Sequence, residues 1–174
     1  MLPKVLAPSA SSAPLAVPMP LDLNRSDRLV GLGFRLWLSG FRTGDIGYWE
    51  RAWSTYSHSM GATAAKSAVR DLACWVRAIK QHSQRDLQTA TADCSGFCRD
   101  ECVAIAMISA CQHHACPAMR ACAFALIGCS MIDEVVGVAE NFASTLQGAD
   151  QVLSPALAQA TTLVTLPAAT DARH

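Results

Sequence analysis

Apolar residues recur at three- and four-residue spacing through most of the chain, and this period predicts helices. In the first stretch, "RSDRLVGLGFRLWLSGF", Leu29, Leu32, Leu36 and Trp37 form one apolar face. Ser26 is a candidate N-cap and Gly40 a candidate end. The pair of glycines in "GLG" lies inside this helical pattern, so it indicates close packing rather than a nucleotide-binding loop.

Two further helices follow with clear boundary signals. The second is predicted between Thr43 as N-cap and Gly61 as stop, with four aromatic residues at helical spacing: Tyr48, Trp49, Trp53 and Tyr56. An aromatic stripe of this kind is typical of a core face. The third is predicted over residues 62–84, with its apolar face formed by Ala65, Val69, Leu72, Val76 and Ile79.

The second half of the chain predicts three more helices. Asp93 is a candidate N-cap for a fourth helix over 94–112, which "HHACP" interrupts because Pro117 suits a first helical turn. A short apolar helix then runs to Gly128, and "MIDEVVGVAENFASTLQG" forms the last long one, opened by a capping signal at Ser130 and Asp133. No strand-like alternation persists, so the fold class predicted is all-α, an antiparallel bundle of about five or six helices.

The boundaries of the domain follow from composition. Residues 1–24 are rich in Pro, Ala and Ser and predict a disordered arm. Residues 25–148 form a single bundle domain, and residues 149–174 are expected to be a mobile tail with a possible short helix around 155–161. The 174 residues are 51% hydrophobic and 16% charged, which excludes a disordered protein.

Charge and hydropathy indicate where the protein is located and which kinds of partner it is expected to have. Net charge is zero, although residues 1–92 hold 11 Lys/Arg against 6 Asp/Glu and residues 93–174 hold 3 against 8. We interpret this as two halves that neutralise each other, so nucleic acid is an unlikely partner. Four prolines interrupt the N-terminal apolar stretch, and nothing approaches the roughly 18 apolar residues of a membrane span. We therefore expect no membrane association and a cytoplasmic protein with reduced thiols, unless an export route makes the eight cysteines a disulfide framework.

Three cysteines at four-residue steps are the strongest chemical signal. Cys94, Cys98 and Cys102 would share one face of the predicted fourth helix, with Cys94 at its N-terminus, where thiolate is favoured. This CxxxC spacing resembles that of the cysteine-rich four-helix copper storage proteins, whose cysteines line a bundle core. The resemblance covers about one helix and implies Cu(I). Soft thiolate ligands also suit zinc, and thiol redox sensing is the other possibility.

A second cluster, "CQHHAC", offers Cys111, His114 and Cys116 as supporting metal ligands, with His113 directed elsewhere. The competing interpretation is a polar helix end at which the two histidines cap carbonyl groups. No HExxH, phosphate loop or GxSxG motif occurs, so an enzyme is less expected than a non-enzymatic protein. Asp100 and Glu101 are expected in a solvated turn.

Two function hypotheses therefore stand. The first is a small cytosolic protein that binds Zn or Cu(I), or senses redox state, through the CxxxCxxxC helix stripe. The second is a helical adaptor with a protein partner or a homodimer, in which the cysteines are structural. Its interaction surface would include Trp49, Trp53, Arg70 and Arg77. Cys→Ser variants distinguish the two, because a buried hydroxyl destabilises a structural site without a chemical phenotype.

Overall fold

The computed structural model describes residues 22–164, and within them it contains helices and no strand. The seven helices are α1 (Arg25–Thr43), α2 (Gly47–Met60), α3 (Ala62–His82), α4 (Arg99–Gln112), α5 (Cys116–Ile127), α6 (Asp133–Gly148) and α7 (Pro155–Val164). They form the predicted all-α bundle, with one helix more than expected. None of the helices in the described part of the chain is both long and apolar enough to span a membrane.

Helix α4 lies at the centre of the bundle and contacts α1, α5, α6 and α7. Of its fourteen residues, all but Arg99 and Cys102 are buried. Such a helix has no polar face, which explains its continuous apolar sequence. Next to it, the fully buried Trp75 of α3 stacks on Phe142 of α6 and contacts Phe34 of α1.

Glycines allow α1 and α2 to approach each other closely, as the "GLG" pattern predicted. A Cβ atom on Gly33 would overlap the ring of Tyr56, and one on Gly40 would overlap the indole of Trp49. Tyr56 is fully buried and donates a hydrogen bond to the Leu29 carbonyl (3.2 Å). The predicted core role of the aromatic stripe is therefore confirmed for Tyr56.

Several helix ends differ from the prediction by a few residues. α1 is capped by Asn24 rather than Ser26, through a reciprocal capping box with Asp27. It continues past Gly40 to a left-handed Gly44. α2 and α6 begin without a side-chain cap, so Thr43 and Ser130 do not have the predicted role. The predicted stops at Gly61 and Gly128 are confirmed, and both glycines have positive φ.

The predicted start of the fourth helix at Cys94 is wrong. α4 begins at Arg99 with Cys98 as its N-cap, and residues 83–98 form a long irregular connection from α3. The extended backbone of Cys98 (φ −79°, ψ 174°) ends the connection. Cys94, Cys98 and Cys102 therefore do not form a stripe along one helix, because only Cys102 lies within it. Four-residue spacing places side chains on one face only when the backbone between them is helical.

The expected mobile tail from residue 149 also differs from the structure. Leu153, Leu157 and Ala158 are buried, and α7 packs against α4 and α5. The short helix expected around 155–161 is confirmed as α7. The bundle therefore extends beyond residue 148, whereas the remaining positions of the arm and the tail, 1–21 and 165–174, lie outside the described residues.

Candidate functional site: a thiol-rich loop around a buried ion pair

A buried ion pair joins α1 to the start of α4. The Arg35 guanidinium donates to both carboxylate oxygens of Glu101, with Nε–Oε1 at 2.7 Å and Nη2–Oε2 at 3.0 Å. Both side chains are essentially inaccessible to solvent. Burial alone would lower the pKa of Arg35, but its hydrogen bonds with Glu101 and the charge of that residue outweigh it, so the pKa is raised. Two-point charge-assisted pairing of this kind fixes orientation as well as distance.

The five residues "CSGFC", 94–98, wrap around this guanidinium. Arg35 donates to the carbonyls of Cys94 (2.7 Å) and Gly96, and its guanidinium carbon lies 5.0 Å from the centre of the Phe97 ring. At the other end of the loop, the N–H of Cys98 donates to Glu101 Oε2 (2.8 Å). Both ends of the Cys94–Cys98 loop are thus tied to the same ion pair.

Gly31 makes room for this arrangement. A Cβ atom at this position of α1 would lie 2.5 Å from a ring carbon of Phe97 and 2.8 Å from Ile105 of α4. The absence of a side chain leaves space for the Phe97 ring beside α1, close to Arg35. The second glycine of "GLG" therefore serves the α1–α2 contact, whereas the first serves the thiol-rich loop.

Asp100 holds the earlier part of the connection. Its two oxygens accept from Arg85 (2.7 and 2.9 Å), and the backbone N–H of Gln88 donates to one of them at 2.7 Å. Asp100 and Glu101 are 3% and 0% exposed, so the expected solvated turn is wrong. The connection of residues 83–98 has no regular structure, so its buried N–H groups need acceptors other than a helix or sheet. The carboxylates of Asp100 and Glu101 supply such acceptors.

The thiol of Cys98 lies between the loop and the helix. It donates to the Gln88 carbonyl (Sγ–O 3.1 Å), while the Cys98 carbonyl accepts from the N–H of Cys102 at 2.9 Å. Burial raises the pKa of Cys98, although backbone N–H groups of Glu101 and Asp100 oppose this. Burial, with the nearby Cys98 and Glu101, raises the pKa of Cys102 to about 11. Cys94, by contrast, is exposed.

The structure places the second predicted cluster elsewhere. Cys111 is nine residues after Cys102 on α4, which is roughly 13 Å along a helix at 1.5 Å per residue. Burial, with nearby Glu140 and Cys122, raises the pKa of Cys111 to about 12. Cys116 is exposed at the start of α5. The six predicted metal ligands therefore fall into two separate groups.

The two histidines of "CQHHAC" serve the end of α4. His114 has a left-handed backbone (φ 53°), the N–H of Ala115 donates to the Ala110 carbonyl, and the N–H of His114 donates to Cys111. These bonds form a Schellman motif in which His114 takes the position usually held by glycine. His113 Nε2 bonds the Leu153 carbonyl (2.9 Å). His113 thus bonds a carbonyl of the segment after α6 rather than a carbonyl at the end of its own helix.

Within residues 22–164, no group of three or more His, Cys, Asp or Glu side chains is arranged to hold a metal ion. No disulfide joins any of the eight cysteines, all of which lie within residues 22–164. The raised pKa values of Cys102 and Cys111 favour the protonated form, whereas metal ligation requires the thiolate.

The predicted interaction surface is only partly available. Trp49 is half-buried: its indole N–H donates to the Trp37 carbonyl (3.3 Å) and its ring stacks on Trp37. Trp53 is 40% exposed. Arg70 pairs with the adjacent Asp71 (2.9 Å), and Arg77 is exposed on α3. Trp49 therefore belongs to the α1–α2 contact, and the other three residues remain accessible.

Arg35 is the central residue that the sequence analysis did not single out. The available signal was an arginine within the apolar stretch "LGFRLWL", where a charged side chain requires a partner if it is buried. That partner is 66 residues away. Comparisons with protein-family models, curated proteins and solved structures gave no match to this chain.

Proposed function

We propose that this protein is a thiol redox sensor in which Cys94 and Cys98 form a reversible disulfide. One observation carries the proposal: the Cys94–Cys98 loop is closed around the Arg35–Glu101 ion pair, with Cys94 O and Cys98 N each bonded to a member of that pair. The backbones of Cys94 and Cys98 are thereby both held next to the same ion pair. The charge of Arg35 interacts with both Cys94 and Cys98.

The two thiols have different roles in this proposal. Cys94 is exposed and reacts first, whereas Cys98 is half-buried and resolves the intermediate. With hydrogen peroxide as oxidant, the Cys94 thiolate attacks one peroxide oxygen, the O–O bond breaks, and the departing hydroxide takes a proton to form water. The sulfur of Cys98 then attacks the resulting sulfenic acid, its proton goes to the leaving hydroxide, and a second water departs. Two thiols and one peroxide thus give one disulfide and two waters.

The same disulfide would change the start of α4. Once Cys98 is oxidised, its thiol hydrogen is gone, so the Gln88 carbonyl loses the donor that it now has at 3.1 Å. Residues 83–98 would then be held less firmly, which couples the oxidation state to the shape of this surface. A cytoplasmic location, which we also propose, would keep the resting protein in the reduced form.

Peroxide titration with mass-spectrometric mapping tests the proposal. Wild-type protein is treated with peroxide, remaining thiols are alkylated, and disulfide-linked peptides are identified. We expect one disulfide joining Cys94 and Cys98, its loss in Cys98→Ser, and no effect of Cys74→Ser, whose exposed thiol lies on α3. Wild-type protein in which peroxide forms no disulfide between Cys94 and Cys98 would overturn the proposal.

Metal analysis of the same preparations distinguishes soft-metal binding from redox sensing. The anaerobically purified protein is analysed by mass spectrometry for zinc and copper. Zn or Cu(I) bound one-to-one in wild type and lost in Cys98→Ser would replace redox sensing with metal binding at the same residues. Reactive thiols without stoichiometric metal would favour redox sensing.

A second candidate function is the non-enzymatic helical interaction protein with structural cysteines. Cys111 favours it, because this thiol is 7% exposed, its pKa is raised to about 12, and it packs in the core as a small apolar side chain. Under this candidate, peroxide forms no disulfide between Cys94 and Cys98 before unfolding, and the effect of each Cys→Ser change on stability follows its burial.

A further inference from the structure

Residues 151–154 lie in a cleft between α1 and α4 and are held mainly through their backbone. The side chains that hold them come from the end of the connection before α1, from α1 and from α4. Asp27 accepts from the Ser154 N–H (3.0 Å), and Ser109 donates to the Ser154 carbonyl (2.7 Å). Gln112 accepts from the Leu153 N–H (2.8 Å) and donates to the Gln151 carbonyl (2.9 Å). His113 Nε2 bonds the Leu153 carbonyl (2.9 Å), and the side-chain amide of Asn24 donates to the Val152 carbonyl (3.2 Å).

Three buried polar side chains, Asp27, Ser109 and Gln112, each hydrogen-bond the backbone of this segment. Asp27 also accepts from the Asn24 N–H, and Gln112 also donates to the Ala143 carbonyl of α6. Because the partners are backbone N–H and carbonyl groups, the cleft recognises an extended strand of chain rather than particular polar side chains. The cleft therefore holds this segment of its own chain through the kind of backbone contacts that proteins use to bind extended peptides.

Apolar side chains supply the specificity. Leu153 and Leu157 are 1% and 2% exposed, and Ala158 follows on the same side of α7. Ser154 and Pro155 start the helix between the two leucines, so the ligand of the cleft is an extended segment followed by a proline-initiated helix. A second copy of this chain carries a segment with the same bonding groups in the same order.

A two-residue turn directs the segment back onto its own bundle. After α6, Asp150 has a left-handed backbone (φ 58°), the N–H of Gln151 donates to the Leu146 carbonyl (2.9 Å), and the N–H of Asp150 donates to Gln147 (3.1 Å). This is a second Schellman motif, again without glycine at its left-handed position. If residues 149 and 150 continued α6 instead, Asp150 would have ordinary helical angles and the segment would point away from its own cleft.

We propose that two copies of this chain exchange the segment that begins at Gln151, so that each cleft between α1 and α4 holds Leu153 and Leu157 of the other copy. Every bond within the cleft is retained in the exchanged dimer, and only the turn at 149–150 changes. A short connection with an unfavourable backbone favours such exchange. The proposal is independent of the thiol chemistry, because none of the cleft residues is a cysteine.

Two variants of the turn test the proposal in opposite directions. Deletion of Ala149 and Asp150 removes the turn and should give a stable dimer in size-exclusion chromatography with light scattering. Asp150→Gly suits the left-handed position and should give a monomer. Relative to wild type, the dimerisation constant of Asp150→Gly should fall by roughly tenfold, since two left-handed Asp150 residues are relieved in each dimer. Wild type should show a dimer fraction that rises with concentration and exchanges slowly after dilution.

A synthetic peptide of residues 151–164 identifies the contact. Added in excess to the deletion variant, it should occupy both clefts and convert the dimer into monomers with one peptide each. The same peptide should not bind Asp150→Gly, whose clefts are filled in cis. A dimer that the peptide leaves intact would show a different interface and overturn the proposal. A deletion variant that is a folded monomer, or that fails to fold, would also overturn it, as would wild type that stays monomeric after refolding at high concentration.

Discussion

The Arg35 guanidinium lies 2.7 Å from Glu101 Oε1, and this pair sets the position of a loop that neither residue belongs to. The carbonyls of Cys94 and Gly96 bond Arg35, and the N–H groups of Ala90 and Cys98 bond Glu101. Backbone groups of the loop thus form hydrogen bonds with the N–H groups and carboxylate oxygens that the ion pair leaves over. A buried ion pair is tolerated when its remaining polar groups are hydrogen-bonded in this way.

Removing one member of this pair should destabilise the protein more than removing both. Glu101→Gln leaves a buried guanidinium without a counter-charge and should lower the free energy of unfolding by about 3–5 kcal/mol. The double variant Arg35→Met/Glu101→Gln leaves no unpaired charge and should be more stable than either single variant, Arg35→Met or Glu101→Gln. Urea denaturation of the four proteins gives the coupling energy. A Glu101→Gln cost below about 1 kcal/mol would contradict a buried pair.

Two helical glycines should respond oppositely to alanine. Gly33→Ala forces a methyl group into the buried Tyr56 ring and should destabilise the bundle by about 1–3 kcal/mol. Gly137 of α6 has open space at its Cβ position, so Gly137→Ala should stabilise by about 0.5–1 kcal/mol through helix propensity. Thermal unfolding of both variants tests this. Equal effects at the two positions would mean that α1 and α2 do not pack as closely as described.

The effect of Cys→Ser should depend on position. Cys98→Ser places a preferred N-cap residue at the start of α4, so the free energy of unfolding should stay equal or rise by up to about 1 kcal/mol. Cys111→Ser buries a hydroxyl at a 7% exposed core position and should cost about 1–2 kcal/mol. Chemical denaturation in a reducing buffer distinguishes them. A larger loss for Cys98→Ser than for Cys111→Ser would reverse the assignment of capping and core roles.

The buried Cys111 thiol should make stability fall at alkaline pH. Its pKa is raised from 9.0 to about 12, so the folded state holds the thiol proton more tightly than the unfolded state. This contribution is fully present below about pH 9 and is lost as pH rises toward about 12, at up to about 1.4 kcal/mol per pH unit. Cys111→Ala should therefore lose less stability than wild type between about pH 8 and about pH 10. Parallel curves for the two proteins would contradict the burial of this thiol.

The left-handed residue that ends α4 gives a further test. His114→Gly should stabilise the protein by about 0.5–1 kcal/mol, because glycine adopts positive φ without a steric penalty. Gly128→Ala makes the reverse change at the end of α5, where φ is 72°, and should destabilise by about 1–2 kcal/mol. Differential scanning calorimetry of both variants gives the comparison. A destabilised His114→Gly would indicate that the imidazole has a role beyond the turn.

The residues of the candidate site show how far sequence reasoning reached. Cys94, Cys98 and Cys102 were identified from their spacing, but the helix expected to align them begins only at Arg99. Identical spacing fits a helix and an irregular loop equally, and the local signals at Asp93 and Cys98 compete. The choice between helix and loop depends on Arg35, whose buried guanidinium needs a carboxylate and backbone carbonyls as hydrogen-bond acceptors. Arg35 becomes buried only when α1 and α4 pack together.

The sequence by itself determined the helices and the class of fold, because apolar periodicity and glycine stops such as Gly61 and Gly128 act within a few residues of chain. Only the tertiary structure decided that Asp100 and Glu101 are buried, that residues 151–158 belong to the bundle, and that the six predicted metal ligands fall into two separate groups. Each of these depends on partners far along the chain: Arg35 and Glu101 are 66 residues apart, and Asp27 and Ser154 are 127 apart. The hydrogen-bond partners of buried polar groups depend on how the apolar faces pack, so the local sequence pattern does not predict them.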